Sequence, residues 1–239
     1  MSNSDLTFTL EGKHALVSGV GGPLARAAAV ALAEGGATVS LFTQADDRAQ
    51  EVEAQSILNE CWSLGRDGQV CRLDSTDEIA VEAALDRLEV EMGPISVLVT
   101  VHPAIWQQPA AAVDRSAWDA ELARSATAVV VPVLGAGRRM LGRGGGRIVN
   151  IVSHLHQGHE PGAALFAASQ AAVLAFTHAL AVEWLSHQVV AQVLIVDEIE
   201  AGGGPHSHAE LRGQLRALFA GDPEGLDISS FVDQARPSA

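Results

Sequence analysis

The feature that most constrains this chain is a glycine-rich turn set between an apolar run and an alanine-rich helix. His14–Ser18 reads as a short buried strand, Ser18-Gly19-Val20-Gly21-Gly22 as a turn, and Pro23–Glu34 as a helix with proline in its first turn. A strand feeding a helix through glycines is the opening of a βαβ unit, and the same alternation continues along the chain. The pattern predicts strands at Ala37–Phe42, Gln69–Leu73, Ser96–Val101, Arg147–Val152 and Val189–Val196. It predicts helices over Ala45–Leu64, Asp77–Met92, Arg115–Leu141, Ala163–His187 and Glu210–Phe219, with a last amphipathic piece at Asp227–Ala235. Strands read as continuous apolar runs separated by helices belong to a parallel sheet covered on both faces. The expected fold class is α/β, a Rossmann-like doubly wound parallel sheet, over 1–239 as a single domain.

Composition narrows the function. At 239 residues and 48% hydrophobic content, one sizeable core is expected. Fifteen basic against twenty-nine acidic side chains give a formal charge of −14, which argues against nucleic acid or an anionic membrane as partner. The polar start has no signal pattern and no apolar run approaches a membrane span, so a cytoplasmic location is expected. Cys61 and Cys71 form no disulfide framework. The chain has no tyrosine, and Lys13 is its only lysine.

Several stretches then resemble one family over about residues 10–200. The turn Ser18–Ala25, the Asp74 that ends the third strand, Gly146–Ser153 as a fifth strand ending on serine, and Phe166-Ala-Ala-Ser-Gln170 early in an apolar helix are together similar to the short-chain dehydrogenase/reductase family. The resemblance implies a nicotinamide nucleotide on the glycine loop and a Ser/Tyr/Lys/Asn catalytic set. Laid on that set, the serine is Ser153, but the Tyr position holds Phe166, the Lys position Gln170 and the Asn position Ser125. A benzene ring has no proton to give and a neutral amide has no charge to tune one.

The cofactor positions differ too. Two of the family's loop glycines are Pro23 and Ala25, of which the proline lacks a backbone donor and the alanine adds a methyl where backbone and phosphate approach. The second strand ends in Thr43-Gln44, neither the acid that reads a ribose diol nor the base that reads a 2′-phosphate. Of the cofactor contacts, Gly19 and Asp74 are retained. The family's Asn-Asn-Ala-Gly becomes Thr100-Val101-His102-Pro103, and Asp197 stands where the family has Pro-Gly. The family's seventh strand has no counterpart, so six strands are expected.

The expectation that follows is a catalytically inactive subunit. It binds no cofactor itself and completes a heteromeric dehydrogenase with an active family member, in which the partner carries NAD or NADP. The long helices 115–141 and 163–187 are the expected contact, because the second is apolar nearly all round. Within the family such complexes are expected to act on hydroxyacyl or oxoacyl thioesters. A second reading is an enzyme of altered chemistry at Ser153 and the loop carrying His154, His156 and His159, with Asp197. A third is a ligand or nucleotide sensor. No metal set is read here: His-x-His has no clear third ligand, and adjacent Ser153 and His154 make poor triad geometry.

Overall fold

The computed structural model describes residues 9–19, 21–101, 105, 107–154, 160–196 and 205–220. Six strands, β1 (His14–Ser18), β2 (Thr38–Thr43), β3 (Val70–Arg72), β4 (Ile95–Val101), β5 (Gly146–Ser153) and β6 (Val189–Val196), form one parallel sheet. Their order is β3-β2-β1-β4-β5-β6. The connection direction reverses between β1 and β4, and ligands of open α/β sheets bind beyond the strand ends at such a point.

The helices are α1 (Pro23–Glu34), α2 (Arg48–Ser63), α3 (Glu78–Met92), α4 (Arg115–Leu122), α5 (Ala128–Arg143), α6 (Ala164–Trp184) and α7 (Pro205–Ala220). Strand side chains alternate between two cores, as a period of two requires. Ala15, Val17, Val97, Val99, Val149 and Ile151 pack under α1, α2 and α7. Leu16, Leu98, Ile148 and Val152 pack under α3, α5 and α6. Asp47 and Asp77 cap α2 and α3 by accepting from backbone N–H groups of the first turn. Arginines take the role that lysines usually fill: Arg138, Arg139 and Arg143 of α5 pair with Glu78, Glu82, Asp86 and Glu89 of α3.

Two expectations change. The predicted helix Arg115–Leu141 is interrupted: residues Ala123–Thr127 form a π-helical turn between α4 and α5. Five residues downstream of that turn Pro132 lies inside α5 and cannot donate to the carbonyl one turn back, and apolar periodicity alone does not register such a break. Second, α6 with its 3-10 extension spans 24 residues at mean hydropathy 1.7, long and apolar enough to cross a membrane. It lies against β5 and β6, burying Val173, Leu180 and Trp184. A close approach with α5 depends on Gly137, where a Cβ would stand 2.5 Å from the Trp184 ring. The piece Asp227–Ala235 lies outside the described residues.

Candidate active site

The glycine turn is built for close backbone approach. Gly19 has φ +95°, and a Cβ there would sit 2.1 Å from the carbonyl oxygen of Val101 on β4, so only glycine fits. Beyond the turn lies a cleft of about 730 Å³. It is lined by Gly19 and Gly21 of the turn, Gln44, Gln50 and Glu53 from the end of β2 and α2, Asp74–Thr76 after β3, and Ala120, Ala123, Arg124, Ala128 and Val129 from α4, the turn after it and α5. Gly19 and Asp74, foreseen as the retained cofactor contacts, thus share one cleft. Asp74 Oδ1 accepts from both the amide and the hydroxyl of Thr76 at 2.8 Å, which fixes the turn it sits in.

The sequence reading found neither acid nor base at the end of β2. The structure supplies an acid from α2. Both oxygens of Glu53 accept from the Gly22 N–H, at 3.1 and 3.0 Å, and Gln50 Oε1 accepts from the Gln44 N–H at 3.2 Å. Asp47, Gln50 and Glu53 recur at a helical spacing of three, which places them on one face of α2. That spacing was the available signal.

A second unforeseen group is Glu121, whose side chain is 1% exposed. One of its oxygens accepts from the Ser125 hydroxyl at 2.6 Å, and the other pairs with Arg124, which lines the cleft. Ser125, the residue at the Asn position, is therefore committed to Glu121 inside the π turn.

Outside the residues that line this cleft, Ser153 closes β5 fully buried, and its N–H donates to Gln170 Oε1 at 3.1 Å. Gln170 Nε2 is buried with no hydrogen-bond partner among the described residues. Phe166 is fully buried beside Ala163 and Ile105, and Ser169 donates to its carbonyl oxygen at 2.7 Å. Beneath them Asn150 accepts from Thr100 at 2.6 Å and donates to Thr177 at 2.8 Å, tying β4, β5 and α6 together. His154 follows Ser153 at an exposed position, while His102, His156, His159 and Asp197 lie outside the described residues. No cluster of metal-ligating side chains occurs among the described residues. Burial raises both thiols, Cys61 to about 11, so neither is a thiolate near neutral pH.

A short-chain dehydrogenase family model matches residues 13–201. This chain belongs to the short-chain dehydrogenase family. Among its relatives, the D-threitol dehydrogenase of Mycolicibacterium smegmatis is 30% identical over 216 residues, covering 86% of this chain and 79% of the relative. The gluconate 5-dehydrogenase of Gluconobacter oxydans is 32% identical over 187 residues, covering 78% and 71%. The crystal structure of a gluconate 5-dehydrogenase from Burkholderia cenocepacia, in complex with NADP and tartrate, superposes with a TM-score of 0.78 at 24% identity, covering 95% of this chain and 92% of that one.

Two expectations are corrected here. The expectation of an inactive subunit of a heteromer is overturned, because the relatives just named are dehydrogenases. The expectation that it binds no cofactor is overturned as well: the chain belongs to a dehydrogenase family, and a neighbour of the same fold holds NADP in its crystal structure. The physical reason is that the cleft is shaped by backbone approach and by its lining residues, which do not depend on a Tyr/Lys pair. Proton transfer is a separate task that other groups can perform.

Proposed function

We propose that this chain is a nicotinamide-nucleotide-dependent oxidoreductase, acting on a hydroxyl or carbonyl of a small polyhydroxylated compound, with a proton path that does not run through an aromatic hydroxyl. The observation that carries the reading is the cleft running from the Gly19 turn past Asp74 to the π turn, at the reversal between β1 and β4. Its lining supports a dinucleotide: Gly19, packed so closely on β4 that no Cβ fits, and Gly21 lie at the turn after β1, Gln44 and Glu53 lie beside the end of β2, and Asp74–Thr76 lie beyond β3. A bound nicotinamide supplies or accepts the hydride.

The chain's own residues divide the remaining work. Ser153 holds the substrate oxygen by its hydroxyl. His154 follows at an exposed position, so solvent reaches this end of β5. Phe166 fills the floor of the site and keeps water from it, and Gln170 fixes the end of β5 through the Ser153 N–H. The named activities of the relatives, on D-threitol and gluconate, support polyols and sugar acids as the class to test first.

A second reading, nucleotide binding without turnover, is favoured by the fully buried Phe166 ring at the position where the family carries a hydroxyl. One experiment separates the two. The purified chain is titrated with NAD(H) and NADP(H), then assayed against polyols and sugar acids by the absorbance of the reduced nicotinamide. Binding with turnover supports the first reading, and binding alone supports the second. No binding at millimolar nucleotide sinks both.

A further inference from the structure

Arg124 lines the same cleft as Gly19 and Gly21, from the π turn between α4 and α5. Among the described residues lining that cleft, three carry carboxylates, Asp47, Glu53 and Asp74, and Arg124 alone carries positive charge. A diphosphate ester is a dianion, so a lining of this balance repels it unless a cation is placed against it. The glycine loop contributes less than a helix N-terminus of this kind usually offers, because Pro23 has no N–H and the Gly22 N–H is already held by Glu53.

Arg124 itself is held in position. Glu121 is buried, and a buried carboxylate is unfavourable unless its oxygens are paired. One oxygen takes the Ser125 hydroxyl and the other the Arg124 guanidinium, while the Arg124 side chain remains 38% exposed. The segment is also a π-helical turn, which places one more residue in the turn than an α-helix and so re-aims its side chains. Such turns are rare and concentrate at functional sites.

We infer that Arg124, oriented by buried Glu121, anchors the diphosphate of the bound ligand in place of the loop contacts that Pro23 and Glu53 remove. The inference rests on the reading that the cleft takes a dinucleotide. A guanidinium suits this task because its planar fork can engage two phosphate oxygens at once.

The test titrates the full chain with NAD⁺, with ADP and with adenosine, the last as a probe lacking phosphate. Arg124→Met is made together with Glu121→Met, so that the buried charge leaves with its partner; Arg124→Gln with Glu121→Gln is a second neutral pair should the first fail to fold. Circular dichroism and a cooperative unfolding transition establish folding. A folded pair is expected to lose about tenfold or more in affinity for ADP and NAD⁺, to change adenosine affinity by less than about twofold, and to show a shallower salt dependence. Unchanged ADP affinity in a folded pair overturns the inference while leaving the proposed function standing. Equal losses for adenosine and ADP also overturn it, since the cleft rather than the anchor has then changed. A wild-type chain that binds no ADP and no dinucleotide removes both the inference and the function it rests on.

Discussion

The side-chain oxygen of Gln170 accepts from the Ser153 amide at 3.1 Å, and this one bond joins the end of β5 to the early turns of α6. The other half of the same amide, Nε2, is buried without a partner among the described residues. A buried N–H₂ left unmade costs roughly 1–3 kcal/mol, much as an orphaned Ser153 N–H would. Gln170→Met removes the bond and exchanges one orphan, Nε2, for another, the Ser153 N–H. Stability by denaturant titration is therefore expected to change by less than about 1 kcal/mol. Ligand affinity is expected to fall about tenfold, because the buried donor is the group a bound ligand would satisfy. A large loss of stability with affinity intact would leave Gln170 only its part in fixing the end of β5.

Glu53 and Asp47 put negative charge at the ribose end of the cleft. A 2′-phosphate brought there meets like charge, so the chain is expected to prefer NAD⁺ over NADP⁺ by about tenfold or more. Glu53→Gln keeps the shape and removes the charge, and it is expected to narrow that ratio mainly by raising NADP⁺ affinity. Calorimetric titration of both nucleotides against both proteins decides the matter. An unchanged ratio would mean that Glu53 serves the Gly22 turn alone.

How far the sequence reached depends on which force set each feature. Pro23–Glu34 and Val189–Val196 were legible to the residue, because a first-turn proline and a buried apolar run are local signals. The reading of Arg115–Leu141 as one helix missed the π turn, which depends on Ser125 and Arg124 meeting Glu121 in a buried setting rather than on any propensity. Gln170 meets the Ser153 amide and Phe166 is buried beside Ala163 and Ile105, but what their identity implies for the whole chain is less than an inactive subunit. The loss of two chemical groups says nothing about the cleft, whose walls come from Gly19, Asp74 and α2. Glu53 escaped notice because its partner, the Gly22 N–H, is thirty-one positions away and carries no side chain to suggest a contact.

Gly19 offers a sharper test of that cleft. Its φ of +95° strains any other residue, and a methyl would stand 2.1 Å from the Val101 carbonyl oxygen. Either the turn shifts or β4 does. Gly19→Ala is expected to destabilise the chain by about 2–4 kcal/mol, the sum of backbone strain and a steric clash. It is also expected to abolish measurable nucleotide binding. Gly142→Ala is the control, since a Cβ there meets nothing within 4 Å. That control should unfold within a few degrees of wild type. If both variants behave alike, the close approach between the turn and β4 is not what holds the cleft.

The buried His14 ring is expected to make the stability of the sheet depend on pH. Its ring is buried between β2 and the start of β4: Nδ1 lies 2.8 Å from the Gly93 carbonyl oxygen and must donate to it, so in the neutral ring Nε2 accepts from the Ser40 hydroxyl at 2.9 Å. Burial lowers the folded-state pKa below the ordinary histidine value, and the Gly93 contact and the charge of Glu89 oppose that only in part. The unfolded chain therefore binds a proton more readily than the folded one. Stability from this group is complete above the unfolded value, about 6.5, and is lost as pH falls from there through the folded value. Urea unfolding at stepped pH is expected to show a midpoint that drops between about pH 7 and pH 5, ahead of carboxylate titration. His14→Gln removes the titrating group and is expected to flatten that drop, at a cost of roughly 1–3 kcal/mol near neutral pH from the buried bonds it disturbs. The same pH slope in wild type and variant would show that the ring is not the group responsible.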